Sequence, residues 1–361
     1  MRKLVFSKTT RILHFCFTFF VLLAYLSSDF GENIWIHAVF GIMVLGVILL
    51  RFFWFYFGED AIKPKSFDLN FKSLKSYLLD YFNFKENKIR NPATSFGVIF
   101  MWIFAILSIL FGLIFIGAKY GSGLFWFLYS MDLDAHLPKE LHELFGNLLI
   151  VTAGVHVLGV FGESVLKKTE IFKTMFDGKL KTNFAQDALS SVKNSTLLAG
   201  LTLAIIFGCL LYLTFDRNNV FLTSDKVKVD YSKLMPISYN ECKECHMFYP
   251  PNITSKKSQM IVLDNLSNHF GTDASLDSDI VAKIKTEIEN FAPEKTKPNL
   301  EGDMQFLAIN QSITGTKLWK RKHREFDDEW FREQKIKKTD CKSCHTKVEN
   351  GSLSPFELKV P

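Results

Sequence analysis

The chain has 361 residues, 48% of them hydrophobic, with 37 Phe and a formal net charge of +6. That length allows two domains, and the placement of the charge excludes a nucleic-acid footprint. Residues 1–215 hold 20 Lys and Arg against 15 Asp and Glu, while residues 216–361 hold 23 against 22, so the basic excess lies between apolar runs and not on a soluble face.

Five apolar runs come first, at roughly 12–28, 34–57, 95–118, 141–163 and 195–215, each near the ~20 residues that cross a bilayer as a helix. Five such runs in so short a stretch leave too little amphipathic surface to cover them in a soluble core. The first run has no small-x-small cleavage site and reads as a retained helix, not a signal peptide. The segments before run 1, between runs 2 and 3 (Arg51 included) and between runs 4 and 5 carry 4, 8 and 6 Lys and Arg; the intervening segments carry 0 and 2. This asymmetry predicts a cytoplasmic N-terminus. Five crossings then place everything after residue 216 in the periplasm of a bacterium. The expected divisions are a membrane domain 1–193, a fifth helix 194–216, a linker 217–240 and a soluble domain 241–361.

Ionisable residues inside a bilayer are costly and functional by default. Four His lie in the runs: His14, His37, His142 and His156. His142 and His156 are fourteen residues apart, which on a helix is ~21 Å along nearly one face. Run 1 rises from the cytoplasm, so His14 is near the inner side. Run 2 descends, so His37 is near the outer side. Depth therefore matches His37 with His142 and His14 with His156, and each pair can clamp one haem iron between two helices. Gly41 and Gly146, each four residues after a His, leave room for a flat porphyrin. Arg11 and Arg51 are candidates for haem-propionate contacts, beside the plainer reading of positive-inside anchors. Cys16 and Cys209 read as packing residues, and His136 as an outer-loop residue.

Residues 8–180 resemble the bacterial cytochrome b-561 family, which includes the b subunits of nickel-iron hydrogenases. The resemblance is carried by Arg11-x-x-His14, His37-x-x-x-Gly41, Arg51, Leu141-His142-Glu143, Asn147, Val155 to Val160 with Glu163, and Asn91-Pro92; Arg90 stands where a His is frequent. It implies a four-helix bundle binding two b haems through helices 1, 2 and 4, the fifth helix serving as a tether, and it brings membrane quinone as the expected substrate.

The soluble part holds Cys242-Lys-Glu-Cys245-His246 and Cys341-Lys-Ser-Cys344-His345. In a CxxCH motif two thiols form thioethers to the haem vinyl groups and the adjacent His supplies the proximal iron ligand. A redox CxxC or a zinc site is the plainer reading of one copy; two copies with no other Cys in the domain favour two covalent c haems. His269 and His323 are the remaining His there, and proximity pairs His246 with His269 and His345 with His323. Met247, Met260 and Met304 stay open as axial alternatives.

The stretch Cys242 to Pro361 is similar to the di-haem cytochrome c family. The matching features are Phe248-Tyr249-Pro250-Pro251 after the first motif, Asn268-His269-Phe270-Gly271, Leu318-Trp319, His323-Arg324-Glu325 and the second CxxCH near the end. The likeness implies bis-His ligation through His269 and His323; the Lys-rich stretch 332–342 departs from it.

The expected fold class is all-α: a transmembrane di-haem b bundle with a fifth tether helix, then a small, mainly helical di-haem cytochrome c domain. The expected function is electron transfer between membrane quinone and a periplasmic cytochrome or redox enzyme, without nucleic acid. Two alternatives stay open: a haem-site oxidoreductase acting on oxygen, superoxide or a nitrogen oxide, and an anchor subunit for a periplasmic enzyme such as a hydrogenase. A homodimer is compatible with the sequence, which does not require it.

Overall fold

The computed structural model describes residues 2–28, 34–82, 90–129, 131, 133–168, 171–181, 195–216, 219–223, 229–253, 255–291, 312–324 and 326–361. Met304 and Glu325 lie outside them. The chain divides into two compact units: residues 1–115 with 135–221, and residues 116–134 with 222–361.

The first unit is helical. Its long helices are α1 (Lys8–Leu26), α2 (Ile34–Phe57), α4 (Pro92–Tyr120, whose last residues belong to the second unit), α5 (His136–Leu166) and α7 (Thr196–Phe215). All five are long and apolar enough to cross a membrane. Each covers most or all of a run seen in the sequence. The largest extension is at α5, where His136, expected in a loop, is the first helical residue. The polar first turn, with Pro138 where a missing N–H costs nothing, carries no apolar signal.

Helices α1 and α2 pack most closely, and α7 lies along both; the expected tether is thus also part of the bundle. Shorter helices α3 (Phe71–Leu79) and α6 (Ile171–Asp177) lie in the connections. A two-stranded antiparallel pair, β1 (Arg2–Leu4) with β2 (Lys179–Lys181), joins the start of the chain to the segment after α6. Gly178 makes this join, at φ +76°, and a Cβ there would meet the Phe6 carbonyl at 2.5 Å. Val5, Phe6, Ala61, Ile62 and Leu180 form a small core beside it. Ser7 caps α1 and donates its N–H to the buried Glu59, 2.9 Å away.

The second unit contains α8 (Tyr231–Leu234), α9 (Pro236–Lys243), α10 (Lys256–Leu263), α11 (Ser278–Phe291), α12 (Lys317–Lys322) and α13 (Asp328–Glu333). Helix α11 is amphipathic, and Ile284 and Ile288, four residues apart, enter a core with Tyr231, Met235, Phe248 and Leu263. Its Glu287 reaches back to the start of α9, accepting from the Ile237 and Ser238 amides and the Ser238 hydroxyl.

Candidate haem centres

In the first unit His37 on α2 and His142 on α5 face each other with ring centres 5.7 Å apart, nearly perpendicular at 88°. Each is pinned from behind. His37 donates from Nδ1 to the Ala24 carbonyl at 2.8 Å, and His142 donates from Nδ1 to the Ser108 carbonyl at 2.8 Å. A carbonyl accepts only, so Nδ1 carries the proton and Nε2 keeps its lone pair for a metal. The Ser108 hydroxyl adds a bond to the His142 carbonyl, and Gly112 of α4 lies so close that a Cβ would sit 2.9 Å from His142 Nδ1. Helix α4 contributes no histidine, yet it orients one.

Toward the other end of the bundle, His14 on α1 and His156 on α5 lie within electrostatic range of one another and of Arg90; Arg51 is within range of His14. The Arg51 Nη1 is sealed from solvent without a hydrogen-bond partner among the described residues. Arg11 donates from Nη1 to the Phe176 carbonyl, while its Nε is sealed and without a partner among the described residues. Arg90 donates to the Ser66 hydroxyl at 2.7 Å and lies over the Phe67 ring, 4.5 Å from its centre. The Asn91 amide donates to the buried Glu163 carboxylate, which ties the start of α4 to the end of α5. Gly41 has open space where a Cβ would point, and Gly146 meets only the Ser108 hydroxyl, at 3.5 Å.

The second unit repeats the pairing twice. His246 and His269 have ring centres 6.0 Å apart, and His323 and His345 6.1 Å apart. His246 donates from Nδ1 to the Met247 carbonyl at 2.6 Å, and His323 to the Trp319 carbonyl at 2.9 Å. Trp319 also stacks on His323, 4.5 Å between centres at 11°. His269 is presented by a tight turn: Phe270 and Gly271 both have positive φ, at 53° and 92°, and the His269 amide bonds the Thr272 carbonyl at 2.7 Å. Burial holds His345 down to about 4, with His323 adding to the effect, and burial lowers His323 and His269 as well. Neutral imidazole is the form that ligates a metal. Of the methionine alternatives, Met260 packs against the core and Met247 serves through its carbonyl.

These residues fit a bis-histidine haem. An iron bound by two imidazole nitrogens at about 2 Å each places the ring centres roughly 6 Å apart. The three measured separations match that span, and the glycine spaces and the sealed guanidinium N–H groups suit a flat ring with carboxylate arms. Cys242 lies in α9, with Cys245 just beyond it, and Cys341 and Cys344 lie in a short helix and its cap, each pair ending on a paired histidine. Sequence reading missed Ser108 and Gly112; an unexplained Ser and Gly one turn apart in an apolar run were the only signal.

The bundle of apolar helices and the paired imidazoles define a membrane haem protein of electron transfer. Residues 5–178 match the family model for prokaryotic cytochrome b561 and residues 238–353 that for dihaem cytochrome c, so the chain is a fusion of segments from these two families. Similar solved structures are DHC from Rhodobacter sphaeroides, 28% identical over 33% of this chain and 96% of that one (TM-score 0.27), and a diheme cytochrome type c from Shewanella baltica OS155, 27% identical over 36% and 94% (TM-score 0.30). No match was found among curated proteins.

Proposed function

We propose that the protein conducts electrons across a bacterial inner membrane, between the quinone pool and a periplasmic redox partner, through two b haems and two c haems. The observation that carries this reading is the repeated pairing of imidazoles near 6 Å, with Nδ1 pinned on a carbonyl in four of them. His37 with His142 hold the outer b haem and His14 with His156 the inner one. His246 with His269 and His345 with His323 hold the c haems, attached through Cys242, Cys245, Cys341 and Cys344.

When bound, a haem iron with two imidazole ligands supplies a one-electron couple. The residues of the chain do the rest. The carbonyls of Ala24, Ser108, Met247 and Trp319 fix tautomer and ring direction, so the ligands do not reorganise with each transfer. Arg51 and Arg11 offer N–H groups to propionates at the inner site, in a region that excludes water. Eight histidines, two for each of four haems, would leave small molecules no vacant position, which favours electron transfer over chemistry on oxygen or nitrogen oxides.

Anaerobic mixing of reduced quinol with the oxidised purified protein tests the reading. The expected result is reduction of b haems before c haems. Failure of quinol to reduce any haem, with dithionite still reducing all of them, would overturn the quinone link.

A further inference from the structure

The two CxxCH motifs carry lysine at the same position, Lys243 in the first and Lys342 in the second. Both lysines reach one carboxylate. Lys342 Nζ lies 2.7 Å from Glu349 Oε2, and Lys243 Nζ lies 3.8 Å from Oε1. The Phe248 amide, two residues after the first motif, donates to the same Oε1 at 3.2 Å. The Glu349 side chain is only 14% exposed. Burial pushes its carboxyl up, but the hydrogen bonds from Lys342 and the Phe248 amide hold it below the usual glutamate range, so it is ionised at neutral pH.

A second tie runs beside it. The Tyr249 ring lies 5.0 Å from that of His246, and its hydroxyl donates to the Thr339 carbonyl at 2.5 Å, two residues before Cys341. The two attachment loops, about a hundred residues apart in sequence, are therefore fastened at two points.

We propose that Glu349 is a shared positioning residue of the two c haems: it clamps both attachment loops together and places one negative charge beside both CxxCH motifs. This rests on the haem reading above. Oxidised haem carries one more positive charge than reduced haem, so a nearby carboxylate favours the oxidised form of each, and its removal makes both easier to reduce. Lys243 and Lys342 act with the opposite sign.

The test is a spectroelectrochemical titration of the c-haem bands in the full chain. Glu349→Gln is expected to raise both c midpoints together, by roughly tenfold in each reduction equilibrium, about 59 mV for a one-electron couple. The double variant Lys243→Met/Lys342→Met is expected to lower both, and Glu349→Asp to stay near the parent. A loss of packing alone would not give shifts of opposite sign. Movement of one midpoint only, no movement, or shifts in the same direction for Glu349→Gln and the lysine pair would overturn the proposal. If Glu349→Gln fails to fold, unchanged midpoints in the lysine pair do so. A haem stain of the denatured parent keeps the two readings apart: absence of covalent haem there defeats the haem reading itself.

Discussion

His37, His142, His246 and His323 each spend one ring nitrogen on a backbone carbonyl. That bond decides which nitrogen remains for iron, so these side chains are oriented before any metal arrives. In a bundle, truncating one ligand of a pair removes the clamp while its partner keeps its carbonyl. We expect His37→Ala and His142→Ala to lose the same b-haem absorbance, and His14→Ala and His156→Ala to share a different loss, with both c haems retained. The check is the reduced-minus-oxidised spectrum of each purified variant. A common loss in His14→Ala and His142→Ala, or an intact b spectrum in all four, would mean that the pairs are drawn wrongly. Pairing His14 with His142 would need two groups near opposite helix ends to meet across one iron, about 4 Å between nitrogens.

At the scale of elements, α4 has no histidine and yet acts on the outer pair. The Ser108 carbonyl holds His142 Nδ1 at 2.8 Å, and Gly112 leaves space that a methyl group would take from the ring. Gly112→Ala is expected to shift or partly abolish the outer b-haem signal while sparing the inner one, with an overpacking cost of about 1–3 kcal/mol. Ser108→Ala keeps the carbonyl and removes only the hydroxyl's contacts with the His142 carbonyl and Nδ1, so it is expected to cost about 1 kcal/mol and retain the haem. Haem content against thermal stability in the two variants decides; equal loss in both would show that the contact with the ring is unimportant. Much of this architecture was legible in the sequence. Apolar runs of membrane length announce helices because a single continuous segment satisfies its backbone hydrogen bonds in a bilayer only by bonding within itself, and CxxCH spacing is set by thioether chemistry. What stayed hidden depends on contacts distant in sequence. The β1–β2 pairing uses three-residue strands too short for a pattern, and it turns on Gly178. Lys243 and Lys342 converge on Glu349 only after folding. Ser108 holds the His142 ring through its main-chain carbonyl as well as its hydroxyl, and the carbonyl contact is one that no residue type reveals.

For the whole molecule, the proposed reading puts the segments that match the two families in different compartments. Thioether attachment takes place outside the cytoplasmic membrane, so on the proposed reading residues 238–353, which match the dihaem cytochrome c family, would follow an odd number of crossings from a cytoplasmic N-terminus. Among the described residues, five helices of sufficient length and apolarity precede that segment. The charge asymmetry of 18 Lys and Arg against 2 supports the same orientation without reference to haem. The basic residues lie with the segments that would face the cytoplasm, where Lys63, Lys65 and Arg90 lie beside Asp60, Ser66 and Phe67. Alkaline phosphatase is active only when exported, so a fusion after residue 216 is expected to be active and one within residues 60–90 inactive. An active fusion within 60–90 would reverse the orientation. It would also put the histidines now assigned to the outer haem on the cytoplasmic side, and the Cys242 and Cys341 loops where haem is not attached.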